Sequence, residues 1–448
     1  MGELYLRHEK RTNNPAETTG NRYKIEILMS RTQKLKGLVA ASLGLKTLND
    51  NPYNMHLTID EIKQLPNLQE VVDLVLQEER NRLVEIKPPQ IVVEDQPSAI
   101  HKPLAEYFND FDERIFIAVR LSSRDPQRPE KFAFKPNMKN RAFLFRGQSG
   151  FYDPSTPSLM RKTEGRYVVE NIFYEEFVMA LKDHPLIQLF WNGIELGGHR
   201  YFFEVNYYGL AQHYGLKTSV MDLTSDVEVA KFFAVTDYDE KNDAYRPVLD
   251  ESRYGVFYYW DNVHDPLAFA PVTGGNLSNI GLQVFPRSGM QRGFLYSMFR
   301  NQDFHDCPFV KYKLFRHDAR ISRQIFKDAR KGKIYFPKDE LSSLAMRIRN
   351  AKRLSGEAFC ANMEANPKDD KNRNYADCKA AGVSIDFTKP HITFNAIEKD
   401  IFRQKMKGEF WPHFCNKIIF PNDRDGRLMQ EFRDLPKNPK YKSYFEWK

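Results

Sequence analysis

The chain has 448 residues, 41% of them hydrophobic, 28% charged and 13% aromatic, with a formal net charge of +8. That is too long for one ordinary core and implies about two to three domains. No apolar run reaches the roughly 18 residues that cross a bilayer, and the opening stretch 1–23 lacks the apolar centre of a secretion signal, so a cytoplasmic protein without a membrane partner is expected.

The four cysteines, Cys307, Cys360, Cys378 and Cys415, form no C-x-x-C pair, which fits a reducing compartment and argues against zinc. Charge is uneven. Residues 301–448 hold 31 of the 67 Lys+Arg and 20 of the 59 Asp+Glu, while residues 1–300 hold 36 and 39. The positive excess therefore lies wholly in the last third. It suits either a surface that docks on phosphate backbones or a solvated basic face.

In chain order, a polar leader is followed by a helix predicted around 31–45. Over 59–82, Ile62, Leu65, Leu68, Val71, Val72, Leu74 and Val75 recur at mixed three- and four-residue spacing, with Pro66 placed to split the run in two. Pro88-Pro89 and Pro97 mark a linker and close an N-terminal region, 1–100. A segment over 104–121 opens a central domain, 105–300, and the Pro- and Lys-bearing stretch 122–140 is expected to be a loop. A strand over 142–147 comes next, then a helix over 168–183 that ends before Pro185. Residues 201–214 are expected to be helical, with Gly215 as a left-handed cap. A short strand over 219–223 precedes Ser225 and Glu228, whose spacing is that of a capping box opening a helix through Ala234. The aromatic run 254–260 is a strand. In the basic region 301–448, a strand is expected over 309–314, a helix over 341–354 and a polar loop over 361–374.

The chemistry is carried by spaced motifs. Phe145-Arg146-Gly147-Gln148 ends the first central strand. A guanidinium there can be aimed into a cleft, where its planar fork suits a phosphate or carboxylate; the alternative is a structural ion pair, for which Asp222 is a candidate partner. Pro157-Ser158-Leu159-Met160-Arg161 follows. Then come Ala211-Gln212-His213-Tyr214-Gly215-Leu216-Lys217-Thr218 and Asp222-Leu223-Thr224-Ser225, leading into Val229-Ala230-Lys231-Phe232-Phe233-Ala234. Gln291-Arg292-Gly293-Phe294 completes the set. Taken singly, Ser225 is equally a helix cap, His213 a core histidine, and Gln291 a backbone partner.

Together these segments resemble the FRG domain family over roughly 105–300, with Leu223 where that family usually has tryptophan. The family's pattern is similar to the ADP-ribosyltransferase core of the R-S-E type. That resemblance implies an α+β fold: a mixed sheet with strands near Phe143, Val220 and Val256, helices on its flanks, and helical additions at both ends. It further implies that Arg146, with Gly147 and Gln148, holds a phosphate of NAD or another nucleotide. His213, Thr224 and Ser225 would brace the ligand, and Gln291 would stand where a glutamate orients ribose. Cleaving the nicotinamide–ribose bond passes through a cationic sugar, so a carboxylate is needed nearby. Gln291 has no charge but can still hydrogen-bond a ribose, so Arg146, Gln291 and Asp222 are the catalytic candidates, with Asp222, Glu175 and Glu176 as the carboxylates that could serve.

The expected function is an ADP-ribosyltransferase-like protein whose basic region meets a nucleic acid or protein target. A non-catalytic nucleotide module and a nucleic-acid-binding effector, such as a toxin or defence protein, are the alternatives. No P-loop is present, no metal site is expected, and Asp237, Asp239 and Asp243 are assigned to a solvated acidic turn.

Overall fold

The computed structural model describes residues 57–85, 115–122, 130–138, 141–161, 164–239, 243–261, 277–300, 302–307, 309–421, 423 and 425–447. Residues Thr58–Lys448 form one compact unit. The helix expected over 31–45 and the linker after Pro88 lie outside the described residues.

Pro66 does divide the first helical run, into α1 (Ile59–Gln64) and α2 (Leu68–Glu85). Thr58 and Glu61 form a capping box at the start of α1. The central six-stranded sheet contains β3 (Phe143–Gln148), β6 (Val220–Thr224), β9 (Tyr254–Asp261), β10 (Leu277–Asn279), β11 (Gly293–Ser297) and β12 (Val310–Arg316), in the order β10-β11-β6-β3-β9-β12. All its pairings are antiparallel. The strands expected near Phe143, Val220 and Val256 are its three adjacent central members.

A second sheet is mixed: β15 (Ile418–Ile419), β1 (Phe116–Ser122), β2 (Glu130–Pro136), β5 (His199–Phe203) and β4 (Ile194–Leu196), in that order. Here β15 joins β1, and β5 joins β2, in parallel. The hairpin β7 (Thr236–Asp239) and β8 (Ala244–Pro247) and the pair β13 (Arg353–Ser355) and β14 (Ser384–Asp386) stand apart.

Each face of the central sheet is covered for a reason visible in its residues. Phe143, Phe145, Phe257, Tyr259 and Phe315 share one face, and Leu68, Val71, Val72 and Val75 of α2 pack on it. So does α6 (Val227–Ala234), through Val227, Ala230 and Ala234. Each large side chain buried there contributes about 1.5–3 kcal/mol. Glu79 of α2 pins this arrangement: its carboxylate accepts from the backbone N–H groups of Ala142 (2.9 Å) and Phe143 (3.0 Å).

The largest core belongs to α3 (Glu164–Lys182), α4 (Pro185–Asn192), α5 (Tyr207–His213) and the elements after 300. Phe134 of β2 and Phe203 of β5 stack at 5.0 Å and meet Phe414, Phe420 and Phe432 from the C-terminal part. The core thus crosses position 300 without a break. Glu176 is fully buried inside it and accepts from Ser355 and the Ile392 N–H; it is a structural carboxylate.

Three expectations are corrected. Residues 122–140 are not all loop: 130–136 form β2, whose Phe132 and Phe134 bury an alternating face. Residues 201–214 are not one helix, because Tyr201-Phe202-Phe203 pairs with β4 and, in part, β2, and only Tyr207–His213 is helical. Asn206 caps that helix, and Gly215 (φ +86°) follows it in the left-handed region, as its spacing implies. The polar stretch 361–374 carries helices, Gly356–Ala365 and Lys371–Ala380, capped by Ser355 and Asp370, and their buried faces are too narrow to show as periodicity.

Candidate functional site

The site begins with a split between two strands. β3 pairs with β9 along its whole length, yet meets β6 through a single bridge, Phe145 opposite Thr224. Beyond that bridge the ladder stops. The Arg146 guanidinium fills the gap, its Nη1 donating at 2.9 Å to the main-chain carbonyl of Asp222. Its Nε lies 3.4 Å from Gln148 Oε1. Among the described residues no carboxylate forms an ion pair with it, so the structural pairing with Asp222 weighed from the sequence is absent; the contact is to backbone. Burial pulls the Arg146 pKa below its ordinary value and the nearby Asp222 charge opposes that, leaving a partly desolvated cation.

Gly147 makes the split narrow on its other side. A Cβ there would run into the Ala230 carbonyl and come within 2.6 Å of the Ala234 nitrogen. Helix α6 therefore lies directly against the backbone of β3, which only glycine permits.

A cleft of about 540 Å³ opens at this split. It brings together Arg146, Gly147, Gln148, His213, Asp222, Thr224 and Gln291, seven of the ten candidates named from the sequence, and leaves out Ser225, Glu175 and Glu176. Gln212 Nε2 donates to Asp222 Oδ2 at 2.6 Å, and Thr218 in turn bonds Gln212, so that carboxylate is held from behind. The other oxygen, Oδ1, is buried, has no hydrogen-bond partner, and lies 3.8 Å from His213 Nε2. Neither ring nitrogen of His213 is hydrogen-bonded, although only 2% of its side chain is exposed. Burial lowers the His213 pKa, with Asp222 opposing, so the ring is neutral at pH 7. Gly293 abuts the same ring, at 2.7 Å from where its Cβ would be.

Thr224 Oγ1 donates to the Gln291 carbonyl at 2.7 Å and accepts from the Asp226 N–H at 2.9 Å. Gln291 Nε2 donates to the Tyr335 carbonyl at 2.9 Å, so its amide nitrogen is committed to the backbone.

Ser225 departs from expectation. It does not line the cleft, and its buried hydroxyl has no partner. Nor does it cap α6: Asp226 occupies that position, its side chain accepting from Glu228 N–H at 2.9 Å. The chain enters the helix one residue later than the capping-box spacing implies, because the Glu228 N–H that Ser225 would take goes to Asp226. Glu175 and Glu176 are not part of the cleft lining.

Sequence reasoning missed Asp237 and Arg253. Both line the cleft, with Arg253 Nη1 2.7 Å from Asp237 Oδ2 and Ser149 Oγ 2.5 Å from Asp237 Oδ1. Asp237 is thus no solvated turn residue. Asp239 and Asp243, from the same stretch, pair with Arg246 and Arg349. Tyr152 and Tyr238 add half-exposed rings. No local pattern marks these groups, since they meet only after the β7–β8 hairpin folds back.

Asp153, Asp303 and His305 are close enough to hold a metal, but His305 is already engaged on both sides: Nδ1 lies 3.0 Å from Asp303 and Nε2 2.9 Å from the Tyr258 hydroxyl.

Among the described residues, the sheet parts around an arginine with no acid partner, beside a braced carboxylate and an unpartnered imidazole, in an α+β domain with a polar cleft. The family model of the FRG domain matches residues 141–243, and this stretch of the chain is an FRG domain. The match takes in Arg146, His213, Asp222 and Thr224 and ends before Arg253 and Gln291. No curated protein and no solved structure matches the chain.

Proposed function

We propose that the cleft binds a nicotinamide dinucleotide, or a related nucleotide, with Arg146 on its phosphates, and that the protein acts as an ADP-ribosyltransferase-like enzyme. The observation that carries this reading is the convergence of an acid-free guanidinium with the Asp222 carboxylate in one 540 Å³ cleft. The guanidinium is where an anion would be recognised, and the carboxylate is where a developing sugar cation would be stabilised. Asp222 suits the second role better than Gln291, which is uncharged and tied to Tyr335. His213, neutral and unpartnered, is available to accept a proton or a hydroxyl hydrogen bond from the ligand.

Purified protein incubated with labelled dinucleotide should release nicotinamide. Arg146→Ala should weaken binding about 10- to 100-fold, the worth of a charge-assisted hydrogen bond to phosphate. Asp222→Asn should leave binding nearly intact and slow release by roughly 10²–10³. Absence of release, together with identical behaviour of the parent and Arg146→Ala, overturns the reading.

The commitment of Gln291 to a backbone carbonyl favours a second reading, a non-catalytic nucleotide module. Calorimetry would then record saturable, Arg146-dependent binding with no turnover.

A further inference from the structure

The described residues carry one strongly basic face outside the cleft. Helix α8 (Ala319–Asp328) is capped by Asp318, whose side chain accepts from the Arg320 and Ile321 N–H groups. Arg320, Arg323 and Lys327 recur at i, i+3 and i+7 and are all exposed. Arg330, Lys331 and Lys333, in the turn after the helix, are exposed as well. Among the described residues none of these six side chains has an ion pair or hydrogen bond. Two nearby acids are otherwise occupied: Asp318 as the cap, and Asp328 with Gln324 at 2.8 Å. Six exposed cations on one helix face and its turn make a surface whose charge complements a polyanion.

The same segment packs behind the cleft wall, although none of its residues lines the cleft. Phe326 of α8 stacks on Phe232, and Gly332, in the left-handed region at φ +85°, lies against that ring. Phe336 packs on Phe233 and Tyr245, which line the cleft. The Tyr335 carbonyl holds Gln291.

We propose that Arg320, Arg323, Lys327, Arg330, Lys331 and Lys333 dock the phosphate backbone of a nucleic acid. The helical repeat places Arg320 and Lys327 about 10 Å apart along the axis, a span of about three phosphates of one strand. A membrane surface fits less well. Helices that lie on lipid present an apolar face outward, whereas Ile325 packs inward on the sheet core and Phe326 on Phe232. Docking on this face does not depend on the cleft ligand being a dinucleotide.

The test is fluorescence anisotropy of the full chain with a labelled 20-nucleotide single strand and the corresponding duplex, across a salt series. Binding to either is expected, with log affinity falling against log salt at a slope of about −3 or steeper. The combined variant Arg320→Glu, Arg323→Glu, Lys327→Glu, all on the surface and compatible with folding, should lose about tenfold or more in affinity and flatten the slope by about 2 to 3. The control variant Lys368→Glu, Lys379→Glu, at exposed lysines elsewhere in the basic region, should bind the oligonucleotides as the parent does, which separates this face from charge in general. Equal binding by the charge-reversed variant, a flat salt response, or capture by phosphatidylserine vesicles without oligonucleotide binding overturns the proposal.

Discussion

Gly147 explains why a glycine follows the cleft arginine. With no side chain it lets the α6 backbone rest on β3, and that contact places Val229 and Ala230 along the cleft. Gly147→Ala would force helix and strand apart, costing about 3 kcal/mol or more. Its thermal midpoint should fall steeply, whereas Gly198→Ala, in the open turn between β4 and β5, should lower it only by the strain of its positive φ. A Gly147→Ala midpoint within 1 °C of the parent (about 1 kcal/mol or less for a unit of this size) contradicts the packing argument. At this scale the site was largely legible in the sequence. Arg146, His213, Asp222 and Thr224 stand in local motifs whose spacing survives folding. Asp237 and Arg253 do not, because their pairing depends on a hairpin returning to the strand, a relation no short window contains.

Two adjacent residues at the start of α6 separate cap from cleft. Asp226 supplies the side-chain acceptor for the helix N-terminus, so Asp226→Ala should cost about 1 kcal/mol. The buried hydroxyl of Ser225 has no partner, so Ser225→Ala should change stability by less than about 0.5 kcal/mol, or raise it slightly. Chemical denaturation of both variants checks the order; a larger loss at Ser225 restores the capping box read from spacing. Elements set by their own pattern were legible, as with the Pro66 break, β9, and Gly215 after α5. Elements set by partners were not. Tyr201-Phe202-Phe203 has an aromatic spacing compatible with a helix, and only its pairing with β4 and β2 makes it a strand. The single-bridge contact of β3 with β6, which opens the cleft, leaves no trace in either strand's composition.

Beyond position 300, the chain is fastened to the centre by buried hydrogen bonds. Glu340 is fully buried between His184 and Lys405, at 3.3 and 2.5 Å. Burial pushes His184 down to about 4, outweighing the pull of Glu340. Nearby, Arg287 lies over the Tyr214 ring, donates to the His213 carbonyl, and bonds Ser342 at the start of the helix Glu340–Arg349. Cleft and C-terminal part are therefore mechanically continuous. A titratable clasp lies at the far end of α3: His391 reaches Asp183 and Glu357, each at 2.8 Å. Burial opposes its protonation, but those two carboxylates outweigh it and raise the pKa above 6.5. A raised folded-state pKa means that this contribution is fully present below about pH 6.5 and is lost as pH climbs through the folded value. The difference in unfolding midpoint between the parent and His391→Gln should shrink from pH 6 to pH 8.5; a constant difference removes the clasp.

The edge strand Ile418–Ile419 lies beside Phe116-Ile117, its parallel neighbour from roughly 300 residues earlier in the chain. Ribosomes add about 5–20 residues per second, so β1 waits on the order of 15–60 s for the strand that covers it. During that interval the nascent protein presents an open apolar border of the kind that invites wrong pairing. Shortened forms ending near 300 would keep that border permanently, and insoluble expression is their expected fate.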